Sequence, residues 1–227
     1  MSAETAYLAL MLDGPLQSWG FASRFQRRTT ALHPTKSGVI GLICAAMGID
    51  KGTDAEHKTL PQLAKLKMTS IAIARNYPRI DDFHTVQGTR RASGKPNPDP
   101  VVTHRQYLAD ALFGVILVGD RALLERVAAA LQDPVWGLWL GRKSCIPAQP
   151  VFVTLASMFA DAWKSILRRL KMDEALPFET FTRIEEVASF ATGNDSFNDQ
   201  PVSFGHADSS SEGRAFTVRR VRVEPGT

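Results

Sequence analysis

Two cysteines in 227 residues, Cys44 and Cys145, are too few and too far apart to staple a fold. No Cys-x-x-Cys pair occurs, which removes the common structural zinc sites. No apolar run approaches the roughly 20 residues that span a bilayer. The opening Met1-Ser-Ala-Glu-Thr5 has neither the basic start nor the apolar stretch of a signal peptide. These absences make a cytoplasmic chain in a reducing compartment, off the membrane, the expectation. A further absence is local. Residues 14–49 contain no acid, yet they hold Arg24, Arg27, Arg28 and Lys36, and this +4 equals the net charge of the whole chain. The positive balance permits a polyanionic partner.

That acid-free stretch organises the rest. Pro34 disfavours helix at His33. Thr35 or Ser37 can then cap a helix in which Val39, Ile40, Leu42, Ile43 and Met47 share an apolar face. Gly38, Gly41, Ala45 and Gly48 form a second, small face. Two internal glycines cost a helix about 1 kcal/mol each against alanine. The spacing therefore predicts a close approach there, by another backbone or a bound chain. Free amides at the helix start, with Thr35, Lys36 and Ser37 beside them, make a ready anion site. Lys36-Ser37 is not a nucleotide-binding P-loop, because positions 30 and 35, which would have to be glycine, are both threonine.

Hydrophobic runs predict strands at 6–12, 69–74, 111–118 and 151–155. Helices are expected from Lys36, over about 60–66 and over 121–131, with 50–58 as a loop. The order β-α-β-β-α-β predicts an α+β fold, a ferredoxin-like (RRM-type) unit over 1–155. A long excursion, 75–106, separates its second and third strands. That excursion has six basic residues through Arg105 (Arg75, Arg79, Arg90, Arg91, Lys95, Arg105) against Asp81, Asp82 and Asp99. A structureless loop of that length is uncommon unless functional. The aromatic strand pattern of an RNA-recognition motif is missing, so any RNA would be held by loops. Residues 156–227 read as a smaller β-rich part, with an amphipathic helix at 160–170, strands within 178–190 and 216–223, and a mobile loop at 192–213. Trp136 and Trp139 read as core in preference to base-stacking platforms.

Five motifs in order carry a resemblance. They are Gly14-Pro-Leu-Gln-Ser-Trp-Gly20, Pro34-Thr-Lys-Ser-Gly-Val-Ile-Gly-Leu42, Asp82-Phe-His-Thr-Val-Gln-Gly88, Arg105-Gln-Tyr-Leu-Ala-Asp-Ala111 and Leu140-Gly-Arg-Lys-Ser-Cys145. The set resembles the CasD family, a subunit of the type I-E CRISPR surveillance complex Cascade. The likeness is close over residues 6–155 and loose beyond. It implies a non-catalytic subunit that binds the 5′ handle of the CRISPR RNA and caps that end of the complex. The implied architecture is a palm, the ferredoxin-like unit, with a thumb hairpin at 75–106. The implied partners are CasC backbone subunits, the large CasA subunit and, through the complex, target DNA. Carried over by position, the handle would meet Gln17, Trp19, Arg24, Arg27, Arg28, Thr35, Lys36 and Ser37 of the first two motifs. On the thumb it would meet His84, Gln87, Arg90, Arg91, Arg105 and Tyr107, and on the last motif Gly141, Arg142, Lys143 and Ser144. No cofactor and no metal are implied.

One alternative stays open on the residues alone. Metal-free RNA cleavage needs a base and a proton donor, which His84 with Tyr107, or His33 with Lys36, are chemically able to supply. A metal site from Asp81, Asp82 and His84 is weaker, since no spacing fixes three ligands on one face.

Overall fold

A computed structural model describes residues 4–20, 26–73, 76–91, 93–205 and 214–227. Arg24 and Arg75 lie outside the described residues. The chain opens with β1 (Thr5–Asp13) and four two-residue strands, β2 (Leu16–Gln17), β3 (Trp19–Gly20), β4 (Arg27–Arg28) and β5 (Thr30–Ala31). Then come α1 (Lys36–Ala46), α2 (Asp54–Ala64), β6 (Lys67–Ala72), β7 (Arg79–Val86), β8 (Val101–Ala109) and β9 (Leu112–Asp120). The remainder is α3 (Arg121–Gln132), β10 (Phe152–Ala156), α4 (Phe159–Arg169), β11 (Thr182–Glu186), β12 (Asp195–Ser203) and β13 (Ala215–Glu224).

Seven strands form one antiparallel sheet in the order β10-β1-β9-β6-β11-β13-β12. β1 is buried along nearly its whole length because both faces of the sheet are covered. Leu8, Leu10 and Leu12 pack with Val39, Ile40 and Ile43 of α1 and with Leu123, Leu124 and Val127 of α3. On the opposite face Ala9, Ile71 and Ile116 pack with Ala162, Trp163, Ile166 and Leu167 of α4. Each such fully buried aliphatic side chain contributes about 1.5–3 kcal/mol.

Capping fixes the helix starts. The Thr35 hydroxyl accepts from the Gly38 amide, which resolves the choice between Thr35 and Ser37. α2 begins at Asp54, well before the expected position 60. Thr53 accepts from the Glu56 amide, and the Glu56 carboxylate reaches back to the Gly52 amide at 2.7 Å. That reciprocal pair resembles a capping box, whose signal is polar and so reads as loop.

Two further expectations change. The strands expected in a small sheet of their own instead prolong the main sheet, because β11 bonds the edge that β6 would otherwise expose. Most of the first half of the expected loop at 192–213 is strand β12. Its Ser, Asn and Asp residues suit a sheet edge lying over α1 and α2. Residues 206–213 of that loop lie outside the described residues. The excursion at 75–106 contains the β7–β8 hairpin, in continuous register from Arg79↔Leu108 to Val86↔Val101, with a bridge between Arg90 and Pro96 near its tip.

Candidate nucleic-acid interface

Three surfaces converge around the loop of residues 14–20: the N-terminus of α1, the loop 141–145 and the base of the β7–β8 hairpin. The 14–20 loop is held from inside. Gln17 is fully buried, and its Nε2 donates to the carbonyls of Leu12 at 2.9 Å and Ala111 at 2.6 Å. Its Oε1 accepts from Trp19 Nε1 at 3.1 Å. Trp19 is equally buried, and a Cβ on Gly38 would stand 2.8 Å from its ring. Both residues were expected at the RNA surface. They are instead the pin and the wedge that set the loop against α1. The glycine at 38 answers to an indole of the same chain, and Gly41 is not pressed at all, since a Cβ there would meet only Phe204 Cζ at 3.9 Å.

The anion site expected at the start of α1 is already occupied. The Lys36 amide donates to Asp199 Oδ2 at 2.8 Å. Lys36 Nζ is fully buried and lies 2.9 Å from both carboxylate oxygens of Glu186. Arg219 completes the group with a two-pronged contact to Asp199 at 2.6 and 3.0 Å. Burial lowers the Lys36 pKa, and Glu186 offsets part of that. Two cations and two anions are thereby neutralised in a group that joins α1 to β11, β12 and β13. A phosphate has no free charge to find at Lys36, and Thr35 is buried and spent on its cap. Ser37 stays half-buried at the rim.

The loop 141–145 is partly structural and partly free. Gly141 adopts φ +100, and a Cβ there would lie 1.8 Å from the Ser18 carbonyl oxygen. Its missing side chain therefore admits the 14–20 backbone, not an RNA phosphate as expected. Arg142 donates from Nη1 to Gln106 O at 2.9 Å and from Nη2 to Arg28 O at 2.7 Å, and it covers the Tyr107 ring at 4.6 Å. It clamps the loop to β8 and β4, and Tyr107 is buried beneath it. Lys143 and Ser144 are exposed.

Two open cavities meet at Arg142. One, about 660 Å3, lies between the hairpin and the loop and is lined by Asp82, His84, Arg105, Tyr107, Lys143 and Ser144 among others. The other, about 650 Å3, runs from Ser18 and Arg28 past Ser37 to Asn198, Arg214 and Phe216. Arg27 and Arg28 are exposed on β4, which pairs with β8 beside His104 and Arg105. Thus Arg28, Ser37, His84, Arg105, Arg142, Lys143 and Ser144 share one trough. Gln87, Arg90 and Arg91 are exposed toward the hairpin tip, and none of the three lines these cavities. Asn198, Arg214 and Phe216 were missed by the sequence reading. They lie about 180 to 200 residues after Ser18 and carry no local motif. Trp136 and Trp139, expected in the core, are 41% exposed and half-buried respectively.

Each group suggested for acid–base chemistry has a neighbour in its own chain. Burial drops the His33 pKa to about 4 and holds it neutral against the Phe113 ring. Its suggested partner Lys36 is tied to Glu186. His84 is half-exposed, 3.5 Å from Asp82, and Tyr107 lies under a guanidinium. Among the described residues no group of three or more His, Cys, Asp or Glu is placed to hold a metal ion. No helix among them is long and apolar enough to cross a membrane.

A sequence model of the family described as "CRISPR-associated protein (Cas_Cas5)" matches residues 7–222. The CRISPR system Cascade subunit CasD of Escherichia coli K12 is 30% identical over 157 residues, 65% of this chain and 70% of that protein. A chain of a solved CRISPR RNA-guided surveillance complex superposes with a TM-score of 0.72 at 29% identity, covering 97% of this chain and 90% of that one. A solved structure described as a Cas protein gives 0.64 at 30% identity, covering 97% and 98%.

Proposed function

Since this chain belongs to the CRISPR-associated Cas5 family, we propose that it is a non-catalytic subunit of a type I-E RNA-guided surveillance complex of the Cascade kind. In that role it binds and caps the 5′ handle of the CRISPR RNA in the cytoplasm. It seats CasC-type backbone subunits and the large CasA-type subunit, and it meets target DNA only through the assembly. The observation that carries the reading is the trough at Arg142, where exposed Arg28 and Lys143 and half-buried Arg105 stand along connected cavities. Such cations neutralise phosphates, and the hydroxyls of Ser37 and Ser144 can donate to them.

The palm-and-thumb division is supported by strand order. β1, β6, β9 and β10 are the four strands of a β-α-β-β-α-β unit and stand in the spatial order four-one-three-two, which fits a ferredoxin-like palm. The β7–β8 hairpin projects between its second and third strands as the thumb. The pairing of His84 with Asp82 and the cover of Arg142 over Tyr107 support a subunit that holds RNA without cutting it.

Replacing 90–100 by a short Gly-Ser turn tests the thumb. β7 and β8 remain, so circular dichroism and melting stay near wild type. Incorporation into the RNA-bound complex, read by native mass spectrometry, falls. Normal incorporation would refute the assignment. Incubation of the protein with labelled repeat RNA in EDTA tests the non-catalytic role, and a discrete cut abolished by His84→Ala would overturn it.

A further inference from the structure

Among the described residues the small side of α1 lines a third cavity of about 430 Å3, within the roughly 300–1,000 Å3 of small-ligand sites. Gly38, Gly41 and Ala45 form its floor, Trp136 and Trp139 one part of its lining and Phe204 another. It shares Ser37, Gly141, Phe204 and Arg214 with the second cavity of the trough, so the two are continuous. The tryptophan segment is anchored: the amides of Val135 and Trp136 donate to Ala46 O at 2.9 Å and Ala45 O at 3.3 Å. Lys143, with Nζ 5.7 Å from the centre of the Trp139 ring, lines both this cavity and the first. The acids on the lining are engaged. Glu56 accepts from the Gly52 and Phe204 amides, and Asp50 accepts from the Lys51 amide.

Each part of that lining selects against something. An isolated phosphate gains nothing from indole rings over a glycine floor. An aliphatic segment leaves the cations at Lys143 and Arg214 unanswered. A flat heterocycle joined to a phosphate satisfies both, because aromatic side chains stack on any base while cations hold its backbone. We propose that this cavity receives a nucleobase turned out of the single-stranded RNA that follows the trough, stacked against Trp139, with its phosphate at Lys143 and Arg214. The inference rests on the RNA reading above and adds that one position of the strand is held by its base as well as by its backbone.

The test uses the full-length protein and single-stranded repeat-derived RNA, with each position replaced in turn by an abasic nucleotide or by 2-aminopurine. One abasic position weakens binding about tenfold, as expected for loss of a stacked base, and the others change it little. 2-Aminopurine at that same position changes its fluorescence on binding. Gly41→Leu fills the floor and Trp139→Ala removes the wall, and in either variant the abasic and intact RNAs bind alike. If Gly41→Leu does not fold, Trp139→Ala decides alone. Salt-sensitive binding that ignores every abasic substitution, with Trp139→Ala binding like wild type, would overturn the base site and leave the RNA reading standing. Failure of the wild-type protein to bind any of these RNAs would overturn both.

Discussion

At the N-terminus of α1, a lysine, two hydroxyl residues and the amides of a helix start stand together, and Asp199 and Glu186 from the far end of the chain answer them. At the loop 141–145, an arginine, a lysine and a serine stand together, and among the described residues no carboxylate forms an ion pair with Arg142 or Lys143. Arg142 is spent on two backbone carbonyls, while Lys143 faces solvent. The two places look alike in composition and differ in what the fold delivers to them. A cation that its own chain has neutralised is part of the framework, and one left facing a cavity is available to a ligand.

Asp199→Ala should have the largest effect on the α1 group. It strips the buried Arg219 and the α1 amide of their acceptor. Removing one partner of such a group costs about 3–5 kcal/mol, read as a lower midpoint in urea denaturation. An unchanged midpoint with weakened RNA binding would mean that this end of α1 is ligand-facing after all.

The glycines of α1 give a smaller, two-sided effect. Gly38→Ala drives a methyl against Trp19 and should cost about 1–3 kcal/mol. Gly41→Ala meets only ordinary contact and should stabilise the helix by up to about 1 kcal/mol. Equal thermal shifts of the same sign would contradict the assignment of Trp19 as the wedge.

Lys143→Glu addresses the open site. Stability should stay within about 0.5 kcal/mol of wild type, while RNA affinity falls and the slope of log K against log salt flattens by about 1. Fluorescence anisotropy across a salt series reads both. A steep slope retained in the variant would remove Lys143 from the interface.

His33 sharpens the picture beside α1. Its folded pKa, about 4, lies below the unfolded value of 6.5. The unfolded state therefore takes up the proton first as pH falls. The stability linked to this group is complete above about 6.5 and is lost between there and 4. His33→Phe should flatten that acid limb of the stability curve, and an identical limb in both proteins would show that other groups set it.

Much of the frame was legible in the chain. β1, α1, β6, β9, α3, β10 and α4 all fall where periodicity and turn residues put them, within a few residues at their ends. The start of α2 was missed because a capping box of Thr53 and Glu56 reads as polar loop. β12 was missed because its Ser, Asn and Asp residues serve a sheet edge. Of the candidate site, Arg28, Ser37, Arg105, Lys143 and Ser144 stand along the trough. Gln17, Trp19 and Lys36 were assigned outward and lie wholly inside.

Local order in the chain thus determined the helices, the inner strands, the hairpin and the concentration of positive charge before residue 50. These follow from interactions between residues near in sequence, where side-chain periodicity and capping act. Tertiary structure alone decided which charges remain free. Lys36 is silenced by a carboxylate 150 positions away, Gly141 is required by the Ser18 carbonyl, and Arg214 comes to the trough at the head of β13. Desolvation and pairing of charge depend on which atoms meet in space, and for these residues the partners lie more than a hundred positions away along the chain.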